Sequence, residues 1–447
     1  MSLFMDTRFE NIRSDERIGL LAVLAGQYGT RAWLVGGGLR DSVMGRAVRD
    51  FDFALAGADL ELPREFASRI GGKFFWLDRE RRQSRVVTGR GEAAFTWDFA
   101  PVRGATILED LALRDFTVNS LALPIGPGAP ALLDPLNGLS DIVSGVIRAC
   151  GERTFDDDPL RLLRALRFAA TLDFHVEEQT WQEIERKSQL LDRVAGERIR
   201  DELFLILDEP GIGASLERLR RSGLLPLILP HDVNKLATAS AVRERILRAA
   251  RVEATAEELE RSFPTFGRRF AERLLHCVEG KVSILSLVKL SAFLAGNDAR
   301  QLTTAACDRL RLGSSARAEL HTLCGASNPF PSLPDEEREG RALYRFFRDR
   351  APAGPELLLL PLAENLVAPD RAARLVSFYF TGYRATDADL LLSGDQVMEL
   401  LGIDPGPELG RRMESLREAE SLGIAVTEEE AREFLLKKQL TKEEPMG

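Results

Sequence analysis

The sequence is poor in the residues that build disulfide frameworks and histidine metal sites. It contains four cysteines and four histidines among 447 residues. Cys150, Cys277, Cys307 and Cys324 lie far apart and form no CxxC pair, which argues against zinc sites and disulfide-stapled domains. We therefore expect free thiols in a reducing cytoplasm, and no histidine-based metal site.

Long apolar segments and an excess of basic residues are also missing. No stretch approaches the roughly 18 apolar residues of a membrane-spanning helix, and the charged N-terminus lacks the apolar core of a signal peptide. These absences predict no membrane partner. The net charge is −9 and the pI is about 5.4, so a nucleic-acid partner would have to be bound through local basic patches.

The sequence changes in character once along its length. Mixed strand and helix patterns run to about residue 150, and helical periodicity dominates from residue 158 onward. The predicted fold class is α+β, with an N-terminal α/β head and an elongated all-helical body. The predicted divisions are an N-terminal helix (1–30), the head (31–150), a neck (151–215), a body (216–330) and a tail (331–447).

Local patterns predict individual elements within these divisions. Apolar runs or alternation indicate strands at 32–35, 50–55 and 95–99. A helix is expected at 39–44 after a glycine turn, and another with Asp158 as N-cap and Pro159 at its first position. Further helix signals are capping boxes at Ser393/Gln396 and Thr427/Glu430, a helix end at Gly402, and a proline-rich loop at 328–337.

The first group of candidate functional residues follows the first predicted strand. Gly36 and Gly37 would let the backbone approach a phosphate closely, and the helix that follows adds a favourable dipole. Arg40 on that helix can grip a triphosphate oxygen with its planar guanidinium. Taken alone, this pattern is also typical of a simple turn.

Acidic residues on neighbouring strands form the second part of this group. Asp50 and Asp52 are two residues apart on a predicted strand, so both carboxylates point to the same face. Such a pair can hold two Mg²⁺ ions about 3.5–4 Å apart, which serve an attacking hydroxyl and a leaving pyrophosphate. Asp98, on another predicted strand, is a candidate third carboxylate. The glycines and the acids, in this order and spacing, indicate phosphoryl transfer.

Two further segments carry charged residues in patterns that suit a nucleotide. Arg114 and Asp115, in the segment that ends at Asn119, could read ribose hydroxyls and neutralise phosphate. Arg161, Arg164 and Arg167 recur every three residues and cover about 120° of one helical face. No acid lies between these arginines, so the face is suited to phosphate or to a base edge.

These segments together resemble the class II tRNA nucleotidyltransferase and bacterial poly(A) polymerase family, within the polymerase β-like superfamily. The family pattern GGxVRDxLLG followed by DxD corresponds to GGGLRDSVMG and DFD in this chain. RRDFTxNA corresponds to LRDFTVNS, and (E/D)DPLRxxRAxRF to DDPLRLLRALRF. The resemblance is strong over 31–205 and 390–435 and weak over 215–385.

The resemblance implies specific roles for these residues. Gly37 and Arg40 would contact the nucleotide phosphates, Asp50 and Asp52 would bind metal, and Arg114 with Asp115 would select ribonucleotides. Asp158 and Arg161 would read the Watson–Crick edge that C and A share, so that the protein acts as the template. Arg164 and Arg167 would lie near the phosphates or stabilise the helix. The partners implied are the tRNA 3′ end, CTP and ATP, with the body and tail binding the acceptor arm.

The segment between Asp98 and Arg114 bears on which nucleotides are added. Relatives that add the whole CCA often have a longer flexible loop here with a YSDGR-like stretch, which this chain lacks. The short segment favours a CC-adding member, but other short-loop relatives add all three nucleotides, so CC and CCA addition stay open as equal alternatives.

Three other functions are less consistent with the sequence. Poly(A) polymerases usually carry a GRRFR-like stretch after the first motif and a basic tail for non-specific RNA, whereas this chain has GGKFFWLD at 71–78 and a C-terminus that is not strongly basic. An inactive RNA-binding relative would not be expected to keep Asp50 and Asp52. A small-molecule nucleotidyltransferase would need neither the helical body nor the Asp158–Arg161 segment. The sequence leaves the oligomeric state open.

Overall fold

The structure is a computed structural model that describes residues 12–57, 61–126, 132–229, 239–325, 336–384 and 390–440. It divides into two compact units. Unit 1 runs to Ala195 and includes Arg221–Leu224, and unit 2 contains Gly196–Arg220 and the chain from Leu225 onward. The predicted α+β class is confirmed, with the mixed sheet in unit 1 and a largely helical unit 2.

Unit 1 is built on a six-stranded mixed sheet in the order β3–β4–β5–β2–β1–β6. The β2–β5 pair is parallel and the other neighbours are antiparallel. Its strands are β1 (Arg31–Val35), β2 (Asp50–Ala56), β3 (Lys73–Asp78), β4 (Gln83–Thr88), β5 (Phe95–Pro101) and β6 (Ala122–Ile125), with a small parallel pair of β7 (Val146–Ile147) and β8 (His175–Val176). The predicted strands at 32–35, 50–55 and 95–99 are thus confirmed.

Helices surround this sheet and continue into the predicted neck. They are α1 (Glu16–Gln27), α2 (Gly36–Val43), α3 (Leu62–Arg69), α4 (Ile107–Ala112), α5 (Gly138–Ser144), α6 (Thr154–Asp157), α7 (Arg161–Thr171) and α8 (Glu178–Lys187), with 3₁₀ turns at Gly91–Ala93, Thr117–Asn119 and Ser188–Arg193. Phe66 of α3 packs edge-on against Trp97 and Phe99 of β5, with ring centroids 5.3 and 5.7 Å apart. This aromatic layer fixes one face of the sheet and leaves the acids of β2 on the other.

Unit 2 contains helices and one short strand pair. The helices are α9 (Gly196–Asp208), α10 (Ile212–Arg221), α11 (Leu225–Ile228), α12 (Ala239–Glu257), α13 (Leu259–Ser262), α14 (Gly267–Leu274), α15 (Ile284–Leu294), α16 (Ala299–Arg309), α17 (Ser314–Gly325), α18 (Glu336–Arg348), α19 (Leu359–Ala363), α20 (Pro369–Thr381), α21 (Gly394–Leu401), α22 (Pro407–Ser421) and α23 (Glu428–Leu440), and β9 (Cys277–Glu279) pairs with β10 (Val282–Ser283). None of the described helices is long and apolar enough to cross a membrane.

The local predictions for unit 2 are confirmed where the structure describes them. Ser393 and Gln396 form a capping box at the start of α21, which ends at Gly402 in the left-handed conformation. Thr427 and Glu430 exchange the same reciprocal hydrogen bonds ahead of α23. The proline-rich stretch at 328–337 lies outside the described residues except for the first two residues of α18.

Two helix starts were predicted wrongly. α2 begins at Gly36 rather than at Leu39, because Gly36 takes φ +76° and turns the chain directly from strand into helix. α7 begins at Arg161, with Leu160 rather than Asp158 as its N-cap residue. Asp158 is extended and its carboxylate accepts the Leu160 N–H at 3.2 Å, so it closes a turn before the helix.

Candidate functional site

Three acids lie together on the face of the sheet opposite the aromatic layer. Asp50 and Asp52 alternate with buried Phe51 and Phe53 along β2, so both carboxylates share one face. Asp98 of β5 lies directly beside Asp52 in the parallel register. Burial, followed by the negative charge of Asp98, raises the pKa of Asp52 to about 6, and a bound cation would relieve both effects.

Asp50 and Asp98, the acids on either side of Asp52, each accept hydrogen bonds from a side chain on a neighbouring strand. Asp50 accepts a short hydrogen bond from the Thr96 hydroxyl, and Asp98 accepts two hydrogen bonds from Arg85 of β4, both 2.7 Å long. Within the described ranges, no three carboxylate, histidine or cysteine side chains are grouped closely enough to hold a metal ion. Asp50 and Asp52 are the carboxylates of β2 that could hold a metal ion on this face.

The glycines at the start of α2 are required by close approach to β2. A Cβ on Gly36 would lie 2.7 Å from Asp52 Oδ2, and one on Gly38 would lie 2.4 Å from the Asp50 carbonyl oxygen. Gly37 faces the Arg40 guanidinium, with Nη2 3.4 Å from the position of a Cβ. The three glycines thus bring the N-terminal turn of α2 against the acids, where backbone N–H groups favour an anion.

Arg40 connects this first segment to the second. Its side chain is buried, and Nη1 donates to Asn119 Oδ1 at 2.7 Å while Nε donates to Asp41 at 2.9 Å. Asn119 in turn donates from Nδ2 to Asp115 Oδ1 at 3.1 Å. The position of Arg40 is therefore fixed by the segment that contains Asp115 and Asn119.

Asp115 connects the second segment to the third. Its carboxylate accepts from Arg164 Nη2 at 2.6 Å, from Arg164 Nε at 3.1 Å and from the Phe116 N–H at 2.8 Å. Burial would raise the pKa of Asp115, but the charge and hydrogen bonds of Arg164, with the Asn119 amide, hold it below its usual range. Arg40, Asn119, Asp115 and Arg164 thus form one continuous network.

The Arg161 side chain binds the backbone carbonyls of the same segment. Its Nη2 donates to the Leu113 carbonyl at 2.9 Å, and its Nη1 donates to the carbonyls of Thr154 at 3.2 Å and Arg114 at 3.4 Å. Because Arg161 and Arg164 are one helical turn apart, α7 holds residues 113–115 at two points. The residue proposed to read the base is therefore fixed relative to the residue proposed to read the sugar.

Three guanidinium groups surround the ring of Phe168 on α7. The Cζ atoms of Arg167, Arg40 and Arg164 lie 4.0, 5.2 and 5.2 Å from the ring centroid. Cation–π contact stabilises such a cluster when an aromatic face is within about 6 Å. Phe168 was not a candidate in the sequence analysis. Its spacing from Arg164 (four residues) and Arg167 (one residue) on a predicted helix could have placed it beside both arginines.

Arg114 is held by an acid that the sequence did not single out. Asp110 of α4 accepts from Arg114 Nε at 3.0 Å and Nη2 at 2.9 Å, and its other oxygen accepts from Arg103 Nε at 2.8 Å. Burial would raise the pKa of Asp110, but hydrogen bonding to Arg103 and the charge of Arg114 bring it below its usual range. Asp110 thereby ties the short β5–α4 connection to Arg114.

The structure thus brings the three sequence segments into one site. Asp50, Asp52 and Asp98 lie on the sheet, Gly36 and Gly37 lie at the end of β1, and the Arg40–Asn119–Asp115–Arg164 network lies beside them. Asp158 and Arg161 are adjacent, before and at the start of α7. Arg85, Asp110 and Phe168 are the additions: Arg85 meets Asp98 through the pairing of β4 with β5, whereas Asp110 is four residues before Arg114 and seven after Arg103.

Known proteins resemble the chain over the region that contains this site and beyond. The model of the poly A polymerase head domain matches residues 32–148, and that of a probable RNA- and SrmB-binding site of polymerase A matches residues 173–233. A CC-adding tRNA nucleotidyltransferase of Geobacter sulfurreducens is 41% identical, over 99% of this chain and 100% of its own length. An A-adding tRNA nucleotidyltransferase of Deinococcus radiodurans is 34% identical, over 90% and 94%.

A solved structure shows the same fold. The CCA-adding enzyme of Thermotoga maritima, complexed with tRNA, superimposes with a TM-score of 0.61. The match covers 97% of this chain and 98% of that one at 24% identity.

Proposed function

This chain belongs to the tRNA nucleotidyltransferase family, and we propose that within it the chain adds two C residues to the 3′ end of tRNA. The 3′-hydroxyl of the tRNA attacks the α-phosphate of CTP, a new phosphodiester bond forms, and pyrophosphate leaves. Since the substrate is a tRNA, we place the reaction in the cytoplasm. The observation that carries the CC assignment is the short connection between β5 and α4.

That connection is held by several contacts. Arg103 donates from its backbone N–H and its Nε to Asp110 Oδ1, at 3.1 and 2.8 Å. The Ala105 N–H donates to Glu109 Oε2 at 2.8 Å, and Thr106 caps α4. A longer, flexible segment would let the base-reading residues readjust for ATP after CTP. A short segment fixed to α4 opposes such readjustment, which supports CC addition, as does the 41% identity to a CC-adding relative.

The acids of β2 suit a magnesium site. Asp50 and Asp52 offer hard oxygen ligands on one face, and Gly36 leaves the space beside Asp52 open. When bound there, Mg²⁺ supplies positive charge to the attacking hydroxyl and to the leaving pyrophosphate. Asp98 supports the site by its negative charge beside Asp52 and by binding Arg85.

The surrounding residues bind and select the nucleotide. Gly36, Gly37 and Arg40 bind the triphosphate, with Arg164 and Arg167 adding positive charge around Phe168. Arg114 contacts the ribose, and Asp115 and Asn119 hold Arg40 and Arg164 in place.

Base selection falls to Asp158 and Arg161. The Asp158 carboxylate accepts a hydrogen bond from the exocyclic amino group of cytosine, and the Arg161 guanidinium donates one to the ring nitrogen acceptor. Uracil has an acceptor in place of the amino group and a ring N–H donor in place of the acceptor, so it does not match. Arg161 is held by three backbone carbonyls, so its reading position is set before the base arrives.

One experiment separates the members of this family. Purified protein is given either a tRNA that ends before CCA or a tRNA that ends in CC, with CTP alone, ATP alone and both, and products are resolved to single nucleotides. We expect two added C residues with CTP and no further A in the mixture. Three added nucleotides in the mixture would identify CCA addition, a ladder with ATP would identify a poly(A) polymerase, and addition of A only to a tRNA ending in CC would identify an A-adding enzyme. Asp50→Asn with Asp52→Asn is the matched inactive control.

A further inference from the structure

The sheet face that carries the acids has exposed apolar side chains at the edge strand β3. On the opposite face, Phe74 and Trp76 of β3 lie beside α3, with Arg64 Cζ 4.7 and 5.8 Å from their ring centroids. Because side chains alternate along a strand, Phe75 points to the face of the acids, and Leu77 follows it at the register shift between Trp76 and Asp78. Their side chains are 48% and 51% exposed.

Helix α4 covers another part of this face. Ile107 and Leu111 of α4 pack with Val35 of β1 and Ala54 of β2, on the side away from β3. A nucleic-acid strand whose end lies at Asp52 therefore cannot extend over β1, because α4 occupies that part of the face. The remaining direction runs across β5 and β4 to the edge strand β3.

The strand register aligns Phe75 with the acids. Phe75 lies opposite Arg85, Arg85 opposite Asp98, and Asp98 beside Asp52. These are three inter-strand steps of about 4.8 Å, which place Phe75 about 14 Å from Asp52. That distance corresponds to about four stacked nucleotides at a rise of about 3.4 Å each.

We propose that Phe75, with Leu77 beside it, is a platform on which the RNA 3′ end stacks within a few nucleotides of the reacting hydroxyl. The proposal rests on the proposed function, since it requires an RNA end at Asp50 and Asp52. Exposed aromatic rings bind bases of any sequence by stacking. Lys73, which is exposed two residues before Phe75 on the same face, supplies positive charge for the RNA phosphates, whereas the charge of Arg85 is paired with Asp98.

The charge and position of this surface favour RNA over a second copy of the chain. Phe75 lies in line with the acids and two residues from exposed Lys73, which suits a polyanion that must pass over it. Pairing with the sheet of a second copy would instead use the backbone edge of β3. It would not explain why Phe75, Arg85, Asp98 and Asp52 lie in one line across the sheet.

The test uses the full-length protein with tRNA lacking CCA and with CTP. Phe75→Ala is expected to raise the KM for tRNA about 5- to 100-fold, the value of one lost base stack, while kcat and the KM for CTP change less than twofold. Phe75→Trp should restore the KM for tRNA, because it keeps an aromatic face. Val23→Ala is the matched control, since Val23 is 56% exposed on α1, and it should change neither constant.

Each outcome of this experiment is decisive. An unchanged KM for tRNA in Phe75→Ala, with wild-type activity intact, overturns the platform and leaves the proposed function standing. Loss of a dimer in Phe75→Ala by analytical ultracentrifugation, with the KM for tRNA unchanged, identifies a protein interface instead. Failure of Phe75→Trp to rescue, with thermal unfolding like the wild type, also rejects stacking. An inactive wild-type protein would count against the proposed function itself.

Discussion

Asp115→Asn should weaken both the fold of unit 1 and the binding of CTP. The Asp115 side chain is 9% exposed and accepts two hydrogen bonds from Arg164. Breaking a buried ion pair costs about 3–5 kcal/mol, but Arg164 is 31% exposed and can be partly rehydrated. We expect a loss of about 2–3 kcal/mol, in line with hydrogen bonds to charged groups.

The loss should appear in both thermal unfolding and kinetics. For a unit of about 200 residues, 2–3 kcal/mol corresponds to a fall in Tm of about 4–12 °C. The KM for CTP should rise about tenfold, because Asn119 loses its charged acceptor and holds Arg40 less firmly. Glu65→Gln is the matched control, since its pair with Arg69 is exposed and is worth less than about 1 kcal/mol.

The pH dependence of this effect has a defined sign. The pKa of Asp115 is lowered in the folded protein, so its contribution to stability is complete above the unfolded pKa of about 3.9. The contribution is lost as the pH falls through the folded pKa. The Tm difference between wild type and Asp115→Asn should therefore be constant from pH 6 to 9. A fall in Tm with no change in the KM for CTP would refute the link to Arg40, and no change in either would refute the network.

Three other variants test separate parts of the structure. Gly36→Ala should reduce transfer at least tenfold, because its Cβ would meet Asp52 Oδ2 at 2.7 Å, whereas Gly19→Ala, with open space around it, should leave CTP incorporation unchanged. Arg161→Ala should lower the preference for CTP over UTP about 10- to 100-fold; equal selectivity in a competition assay would reject base reading. Burial raises the pKa of Glu319 to about 8, so the stability of the wild type should fall as pH rises from about 4.5 to 8, and a Glu319→Gln variant whose Tm falls equally over that range would contradict this.

The sequence was sufficient for the elements with strong local patterns. Strands β1, β2 and β5 followed from alternation and apolar runs, and the capping box at Ser393 followed from two residues at fixed spacing. The helix starts at Gly36 and Arg161 were missed because local signals allowed two neighbouring positions. At Gly36, a positive φ lets the helix follow the strand without a separate turn.

The contacts that assemble the site could not be predicted from local patterns. The Arg40–Asn119 and Arg164–Asp115 hydrogen bonds join residues 79 and 49 positions apart, and nothing in either segment alone identifies the partner. Arg85 binds Asp98 because β4 pairs antiparallel with β5 in a register that places the two residues opposite each other. The candidate residues came from the sequence, whereas their pairing depends on the topology of the sheet.

The parallel pairing of β2 with β5 has a consequence for how the protein is made. Asp50 and its partner Thr96 are 46 residues apart, and α3, β3 and β4 lie between their strands. Contacts of such sequence separation form late, since a large loop must close first. A chain still on the ribosome therefore lacks the group of Asp50, Asp52 and Asp98 until β5 has emerged and docked beside β2, so the three acids come together only as the sheet forms.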